Sequence, residues 1–209
     1  MPRNILSKVL RHLCSDGPLP LRHVLFVSKG FYNAAVNDAF LWTTINFDDV
    51  FFVYFRGRPI QQANNFTEQC LLHSGVLPLR LCIHIYGHFR SNYLLCPLKT
   101  LGNPKYKGFE RCTSLVWTNH FPGLVLRIVT LLPAELPSLQ YLSLYQFHYH
   151  MGRPKFPNCP RLKKVELFYC SLYSSTPWVE TFAHVRPSTF GNHLSRHIMP
   201  SQYLLGSVN

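Results

Sequence analysis

The chain has 209 residues, of which 47% are hydrophobic and 14% charged, and its formal net charge is +12 at pH 7. This composition excludes a disordered chain, because the apolar fraction is large enough to form a core. Prolines and glycines interrupt every apolar run before it reaches about 18 residues, so we expect neither a transmembrane span nor a secretory signal.

The positive charge is concentrated after residue 50. Residues 1–50 contain five Lys or Arg and four Asp, whereas the remaining stretch contains sixteen basic and five acidic residues. The electrostatic field of this excess positive charge attracts acidic partners. The bases are scattered apart from loose groups at Lys105–Arg111 and Arg153–Lys164. Nucleic acid is therefore the less favoured partner class, and no membrane partner is expected.

The seven cysteines are far apart, and none forms a CxxC pair. Their odd number argues against a closed disulfide framework. We therefore expect reduced, mostly buried thiols in the cytosol or the nucleus. The cysteines are Cys14, Cys70, Cys82, Cys96, Cys112, Cys159 and Cys170.

The first 40 residues predict three short helices. Apolar residues recur at helical spacing in the first helix and indicate one apolar stripe. The second helix starts at Pro20, and Ser28 caps a third that ends near Asn37. Helices this short cannot bury all their apolar residues against one another, so a stripe left over implies a partner; the alternative is ordinary intramolecular core. The stripe comprises Ile5, Leu6, Val9, Leu10 and Leu13.

The middle of the chain alternates between strand and helix signals. Residues 43–47 are β-branched and alternating, which predicts a strand. Pro59 opens a helix that Gly75 terminates, and residues 79–85 alternate strictly between apolar and polar side chains, as a strand with one buried face does. The pattern over residues 93–107 is ambiguous.

The later part of the chain is repetitive. Residues 162–172 fit the leucine-rich repeat consensus LxxLxLxxN/CxL at every fixed position, and residues 139–147 fit it less completely. A degenerate copy begins at Leu115, so that the first leucines of the copies (115, 139 and 162) lie 24 and 23 residues apart. Residues 123–132 supply an intervening helical pattern. Each repeat needs a neighbour to cover its apolar face, so we expect the copies to stack.

The last repeat needs a cap. Residues 177–209 contain no further clear repeat, so either this tail caps the array or the chain is a truncated form of a longer array, and we favour truncation with poor order beyond about Pro187.

The N-terminal residues resemble the F-box. The similarity rests on Met1-Pro2-Arg3-Asn4-Ile5-Leu6, on Val27-Ser28-Lys29-Gly30-Phe31 and on the closing Leu41-Trp42. Asn4 stands where the family usually has an acid, and Phe31 stands where it usually has tryptophan. Together with the repeats, the chain resembles fungal F-box proteins with degenerate leucine-rich repeats.

The resemblance implies an α/β fold in four parts. An N-terminal three-helix F-box (residues 1–47) is followed by a connecting strand and helix (48–75), a short irregular leucine-rich-repeat solenoid (76–175) and an irregular tail (176–209). It also implies a substrate-recognition adaptor of a Skp–cullin–F-box ubiquitin ligase. A Skp-type linker, and through it a cullin, would bind Pro2, Ile5, Leu6, Val9 and Leu25.

An unknown protein substrate is expected to contact exposed positions on and beside the repeat strands. These are Arg80, His84, Tyr141, Tyr145, Lys163 and Lys164. The alternative function is a non-ligase repeat scaffold with a basic surface for acidic or nucleic-acid partners.

Residue patterns of enzymes are missing from the sequence. It has no Gly-rich phosphate loop, GxSxG or HExxH motif, and only nine carboxylates. His193-x-x-x-His197 and His148-x-His150 have spacings that can hold a metal, but no further ligand lies nearby, so we expect packing or solvated histidines. The aromatic group 117, 141, 145, 147 and 149 is expected to pack on the sheet and not to stack bases. We therefore predict no catalysis, no cofactor and no metal.

Overall fold

In a computed structural model, the protein combines short helices with a parallel β-sheet. The structure describes residues 3–15, 21, 25, 27–47, 59–85, 92–119, 129–145, 156–168 and 189–190. Among these residues, no helix is long and apolar enough to cross a lipid bilayer.

The N-terminal helices form as their local signals predict. Helix α1 spans Arg3–Leu13, helix α2 spans Lys29–Val36, and a 3₁₀ helix spans Ala39–Trp42. Ser28 caps α2, because its Oγ accepts a hydrogen bond from the Phe31 amide at 3.3 Å. Of the helix predicted from Pro20, the described residues are Leu21 and Leu25, whose backbones form a helical N–H···O bond of 2.8 Å.

Six strands form one parallel sheet in sequence order, each paired with the next. Parallel neighbours require a crossover between them, and helices are the usual crossover. Along the chain, helix α3 (Pro59–His73) lies between the first and second strands, and helix α4 (Asn92–Leu101) lies between the second and third. The strands are β1 (Thr44–Phe47), β2 (Leu79–Ile85), β3 (Cys112–Asn119), β4 (Tyr141–Tyr145), β5 (Lys164–Phe168) and β6 (Thr189–Phe190).

Two elements settle points that the sequence left open. The ambiguous stretch 93–107 contains helix α4, which includes Pro97 and ends at Leu101. Within the predicted tail, strand β6 pairs with β5 through Glu166–Thr189 and Leu167–Phe190, so the sheet extends to residue 190. The predicted helical segment 123–132 lies largely outside the described residues.

The strand register agrees with the alignment of two of the sequence patterns and departs from that of the third. Leu142 pairs with Val165 and Leu144 with Leu167, as the aligned copies predict. Leu115, however, pairs with Leu142 and not with Leu139, which places Cys112 at the position of Leu139. The pattern that was aligned from Leu115 is therefore offset by three residues from the observed strand register. The prediction was wrong because Cys112, a small buried apolar residue, replaces the expected leucine.

The core lies on the inner side of the sheet. Inward residues of successive strands are almost fully buried and form one cluster with residues of α1, α2, α3 and α4. The mixed α/β class predicted from the sequence is confirmed at this level. The inward strand residues include Ile45, Phe47, Leu81, Ile83, Leu115, Trp117, Leu142 and Leu144.

Gly108 lies against the end of α4 and allows a close backbone approach. A Cβ at this position would lie 2.8 Å from the Leu101 carbonyl oxygen and 3.2 Å from its Cα. We expect Gly108→Ala to lower the free energy of unfolding by about 1–3 kcal/mol, because backbone atoms must move apart. Gly102→Ala is the matched control, since its Cβ would meet ordinary contacts of 3.5 Å. Equal urea midpoints for the two variants would contradict this packing.

Candidate functional sites: a helical face and the outer sheet face

Helix α1 carries two parallel apolar stripes instead of one. Leu6, Leu10 and Cys14 recur every four residues and are at most 8% exposed, so they belong to the core of the chain. The neighbouring stripe, offset by one residue, faces outward. It consists of Ile5 (44% exposed), Val9 (40%) and Leu13 (50%), which we call the helical face.

An ion pair fixes the orientation of α1. The Arg11 guanidinium donates from Nε to Asp38 Oδ2 at 2.7 Å and from Nη2 to Asp38 Oδ1 at 2.9 Å. The Asp38 side chain is only 6% exposed, whereas that of Arg11 is 53% exposed. The hydrogen bond to Asp38 raises the pKa of Arg11, and the same guanidinium lies 5.0 Å from the centre of the Phe40 ring.

Trp42 connects the N-terminal helices with the rest of the fold. Its ring is 3% exposed, and its Nε1 donates to the Ala35 carbonyl at 2.9 Å. The ring also packs against His73 at the end of α3, with 4.7 Å between ring centroids. Burial lowers the pKa of His73, which favours the neutral imidazole in this contact.

An open groove separates α1 and the 3₁₀ helix from the turn after α3. It has a volume of about 580 Å³, with the Arg11–Asp38 pair, exposed Phe40 and exposed Val76 along its walls. Gly75, in this turn, has a φ of +58°, a conformation that glycine adopts without strain. On α1 the groove is lined by Ser7 and Arg11, which lie on the side of the helix opposite Ile5, Val9 and Leu13, so the groove and the helical face are separate surfaces.

The residues predicted to bind a linker do not share one face. Ile5 and Val9 are exposed on the helical face, whereas Leu6 is 7% exposed and packs into the core. Leu25 is half-buried against that core, and Pro2 lies outside the described residues. Leu13, which belonged to the predicted stripe, joins Ile5 and Val9.

The outer face of the sheet carries the other predicted positions. The register aligns Arg80, Ser114, Tyr141 and Lys164 across four strands, and we call this line the amino-terminal row because it lies near the start of each strand. A second line of Cys82, Val116, Ser143 and Glu166 runs beside it, and a third contains His84, Thr118, Tyr145 and Phe168. Alternation thus places five of the six predicted substrate contacts on one sheet face.

A polar network occupies one end of this face. Tyr141 donates its phenol proton to Glu166 Oε2 at 2.5 Å, and Lys164 Nζ lies 2.6 Å from Glu166 Oε1. The bond from Lys164 and then that from Tyr141 lower the pKa of Glu166, while burial and the bond to Glu166 raise the pKa of Tyr141. Lys164 and Glu166 therefore neutralise each other.

Two of the cations predicted to contact the substrate are not neutralised in this way by any described residue. Arg80 and Lys163 are exposed, and among the described residues neither side chain has a hydrogen-bond or ion-pair partner. Lys163 lies immediately before β5, beside the amino-terminal row. At the opposite ends of the strands, His84 Nδ1 lies 3.1 Å from Thr118 Oγ1, and the Tyr145 and Phe168 rings lie 6.2 Å apart.

The interpretation of the sequence missed Glu166 and Asp38. Each is one of only nine carboxylates, and Glu166 alternates with Val165 and Leu167 in a buried strand pattern, which was the available signal. Arg11 lies 27 residues from Asp38 and Tyr141 lies 25 residues from Glu166, so no local pattern indicates these two contacts. Lys164, the other partner of Glu166, is two residues away on the same strand face.

The described part of the chain contains no group of three His, Cys, Asp or Glu residues that could hold a metal. The two histidine pairs, Phe147 and Tyr149 lie outside it. Trp117 is buried on the inner face and Tyr141 and Tyr145 lie on the outer face, so the aromatic group does not form one surface. The six described cysteines are free thiols; burial raises the pKa of Cys14 to about 11 and those of Cys112 and Cys159 to about 12.

Comparisons with protein-family models, curated proteins and solved structures each returned no significant match. The functional assignment therefore depends on the geometry of the two faces.

Proposed function

We propose that the protein is a substrate-recognition adaptor of a Skp–cullin–F-box ubiquitin ligase. The observation that carries this proposal is the exposed helical face of Ile5, Val9 and Leu13 on a helix whose neighbouring stripe is buried. Exposed apolar residues aligned on one helix suit a protein–protein interface, because a partner would remove them from water.

The order of the elements supports the same proposal. Three short helical segments precede the sheet, and the Leu41-Trp42 pair that resembles the end of an F-box is buried where these segments meet β1 and α3. In this proposal, the helical face binds the Skp-type linker and the linker binds the cullin. Leu6 and Leu25 then contribute indirectly, because they pack in the core beneath α1, the helix that contacts the linker.

The parallel sheet fits the second half of the proposal. Strands in sequence order with inward leucines are what stacked leucine-rich repeats would form. Their outer face then holds the substrate, and the adaptor contributes proximity while the chemistry takes place in the associated ligase. The protein itself would need no catalytic group or cofactor.

Co-purification with a Skp-type linker tests this function. We expect wild type to capture the linker and an Ile5→Asp, Val9→Asp double variant to bind at least about tenfold more weakly, since two charges would enter an apolar interface. Leu6 is left unchanged because its burial would confuse lost binding with unfolding. Leu72→Asp is the matched control, because Leu72 is also 50% exposed but lies on α3. Folded wild type that captures no linker would remove the ligase assignment.

A non-ligase scaffold with a basic surface is the second candidate. The net charge of +11 after residue 50 favours it, as do Arg80 and Lys163, whose side chains have no partner within the part of the chain that the structure describes. Binding to random duplex DNA that weakens steeply with salt, together with failure to capture the linker, would support this alternative.

A further inference from the structure

We infer that the amino-terminal row of the outer sheet face binds an acidic segment of a partner protein. This inference names the substrate class for the sheet face and rests on the proposed function for the role of that face. The occupant is a stretch of polypeptide with separated carboxylates. Arg80 at one end of the row would pair with one carboxylate, and Lys163 beside the other end would pair with another.

The charges of the row determine its ligand. Arg80 and Lys164 are exposed at the two ends, with Ser114 and Tyr141 between them. Glu166 neutralises Lys164 at 2.6 Å, so the exposed Lys163, which immediately precedes β5, is the cation beside that end that has no partner among the described residues. Exposed cations without a carboxylate partner keep their full capacity for charge-assisted hydrogen bonds to an anion.

The spacing of the charges favours a polypeptide over a nucleic acid. Three inter-strand steps of ~4.8 Å separate the two ends, or about 14 Å in total. An extended peptide covers this distance in about four residues at ~3.3 Å each. Duplex DNA carries one charge per ~1.7 Å of its axis, so most phosphates over the row would find no cation.

The hydroxyl groups between the cations suit a peptide as well. Ser114 and Tyr141 are half-buried, and the Tyr141 phenol is held by Glu166 at 2.5 Å, so this part of the row is ordered before a ligand arrives. A backbone that crosses the strands here would find polar side chains below it and one cation at each end. Preorganised groups of this kind lower the entropic cost of binding.

Fluorescence anisotropy with a defined peptide tests the inference. The probe is a fluorescein-labelled decapeptide of glutamates with one central phenylalanine, and its counterpart has glutamine at every glutamate position. At 50 mM salt we expect the full-length protein to bind the glutamate peptide at least about tenfold more tightly than the glutamine peptide. We expect Arg80→Glu and Lys163→Glu each to weaken the binding of the glutamate peptide roughly tenfold.

Lys99→Glu is the matched control for net charge. Lys99 is exposed on α4, a helix that packs against α3 and contributes Leu98 and Leu101 to the core, so the same charge reversal there leaves the row intact. Equal weakening by Lys99→Glu, or no discrimination between the two peptides, would overturn the inference. Displacement of the peptide by equimolar duplex DNA through the same two residues would also overturn it, in favour of a nucleic-acid surface.

The outcome is separable from that of the linker experiment. Arg80 lies on β2 and Lys163 immediately before β5, away from α1, so their variants should still capture the linker through the helical face. Peptide binding without linker capture would leave an acid-binding scaffold and remove the ligase role. Linker capture without peptide binding would remove only the acidic substrate class.

Discussion

Trp42→Ala should lower the free energy of unfolding by about 3–5 kcal/mol, the usual cost of truncating a buried tryptophan. The ring is 3% exposed, and it contacts His73 of α3 while its Nε1 bonds the Ala35 carbonyl of α2. Its removal therefore leaves a cavity where the N-terminal helices meet the sheet. Urea denaturation followed by far-ultraviolet circular dichroism measures the change.

Trp42→Phe separates the ring from its hydrogen bond. The smaller aromatic ring keeps most of the packing, and the Ala35 carbonyl still accepts from the Asp38 amide at 3.2 Å. We expect a loss of about 1 kcal/mol, the typical net contribution of one hydrogen bond. If the alanine variant were no less stable than the phenylalanine variant, ring packing would not be what joins these elements.

Arg111→Ala should lower the free energy of unfolding by about 2–3 kcal/mol. The half-buried guanidinium donates to Ser74 Oγ at 3.3 Å, to the Leu77 carbonyl at 3.0 Å and to the Gly75 carbonyl. These acceptors follow the end of α3, where helix carbonyls lack intrahelical partners and the helix dipole favours a cation. Removal of this one charged donor takes a hydrogen-bond partner from the buried Ser74 hydroxyl and from the half-buried Leu77 carbonyl at once.

Arg80→Ala is the matched control for Arg111→Ala. It removes the same side chain from an exposed position with no partner among the described residues, so the stability should change by no more than about 0.5 kcal/mol. Chemical denaturation of both variants measures the difference between their free energies of unfolding. A similar loss in both would show that the bonds at the end of α3 contribute little.

Several elements could be predicted from the sequence because their signals are local. The Ser28 cap, the helix between Pro59 and Gly75, and the alternation in residues 79–85 all appear at the predicted places. Each depends on neighbours within about four residues, a range over which helix and strand periods can be read directly. The pairing of Leu142 with Val165 and of Leu144 with Leu167 also agrees with the alignment of the two sequence patterns.

The first helix shows where periodicity stops being sufficient. Two stripes, Ile5–Val9–Leu13 and Leu6–Leu10–Cys14, have the same spacing and nearly the same apolar content. The spacing indicates an amphipathic helix but does not tell which stripe packs inward. The Arg11–Asp38 pair, joined across 27 residues, accompanies the orientation that buries Leu6 and exposes Ile5.

By itself, the sequence determined the positions of caps and turns, the alternation of the strands and the mixed α/β class of the chain. Only the tertiary structure decided which stripe of α1 remains exposed, that Cys112 lies in register with Leu139, that Tyr141 bonds Glu166, and that Arg80 and Lys163 remain unpaired among the described residues. The physical reason is distance along the chain. Propensity and periodicity act between near neighbours, whereas packing and ion pairing depend on residues that the sheet register brings together from 20 or more positions apart.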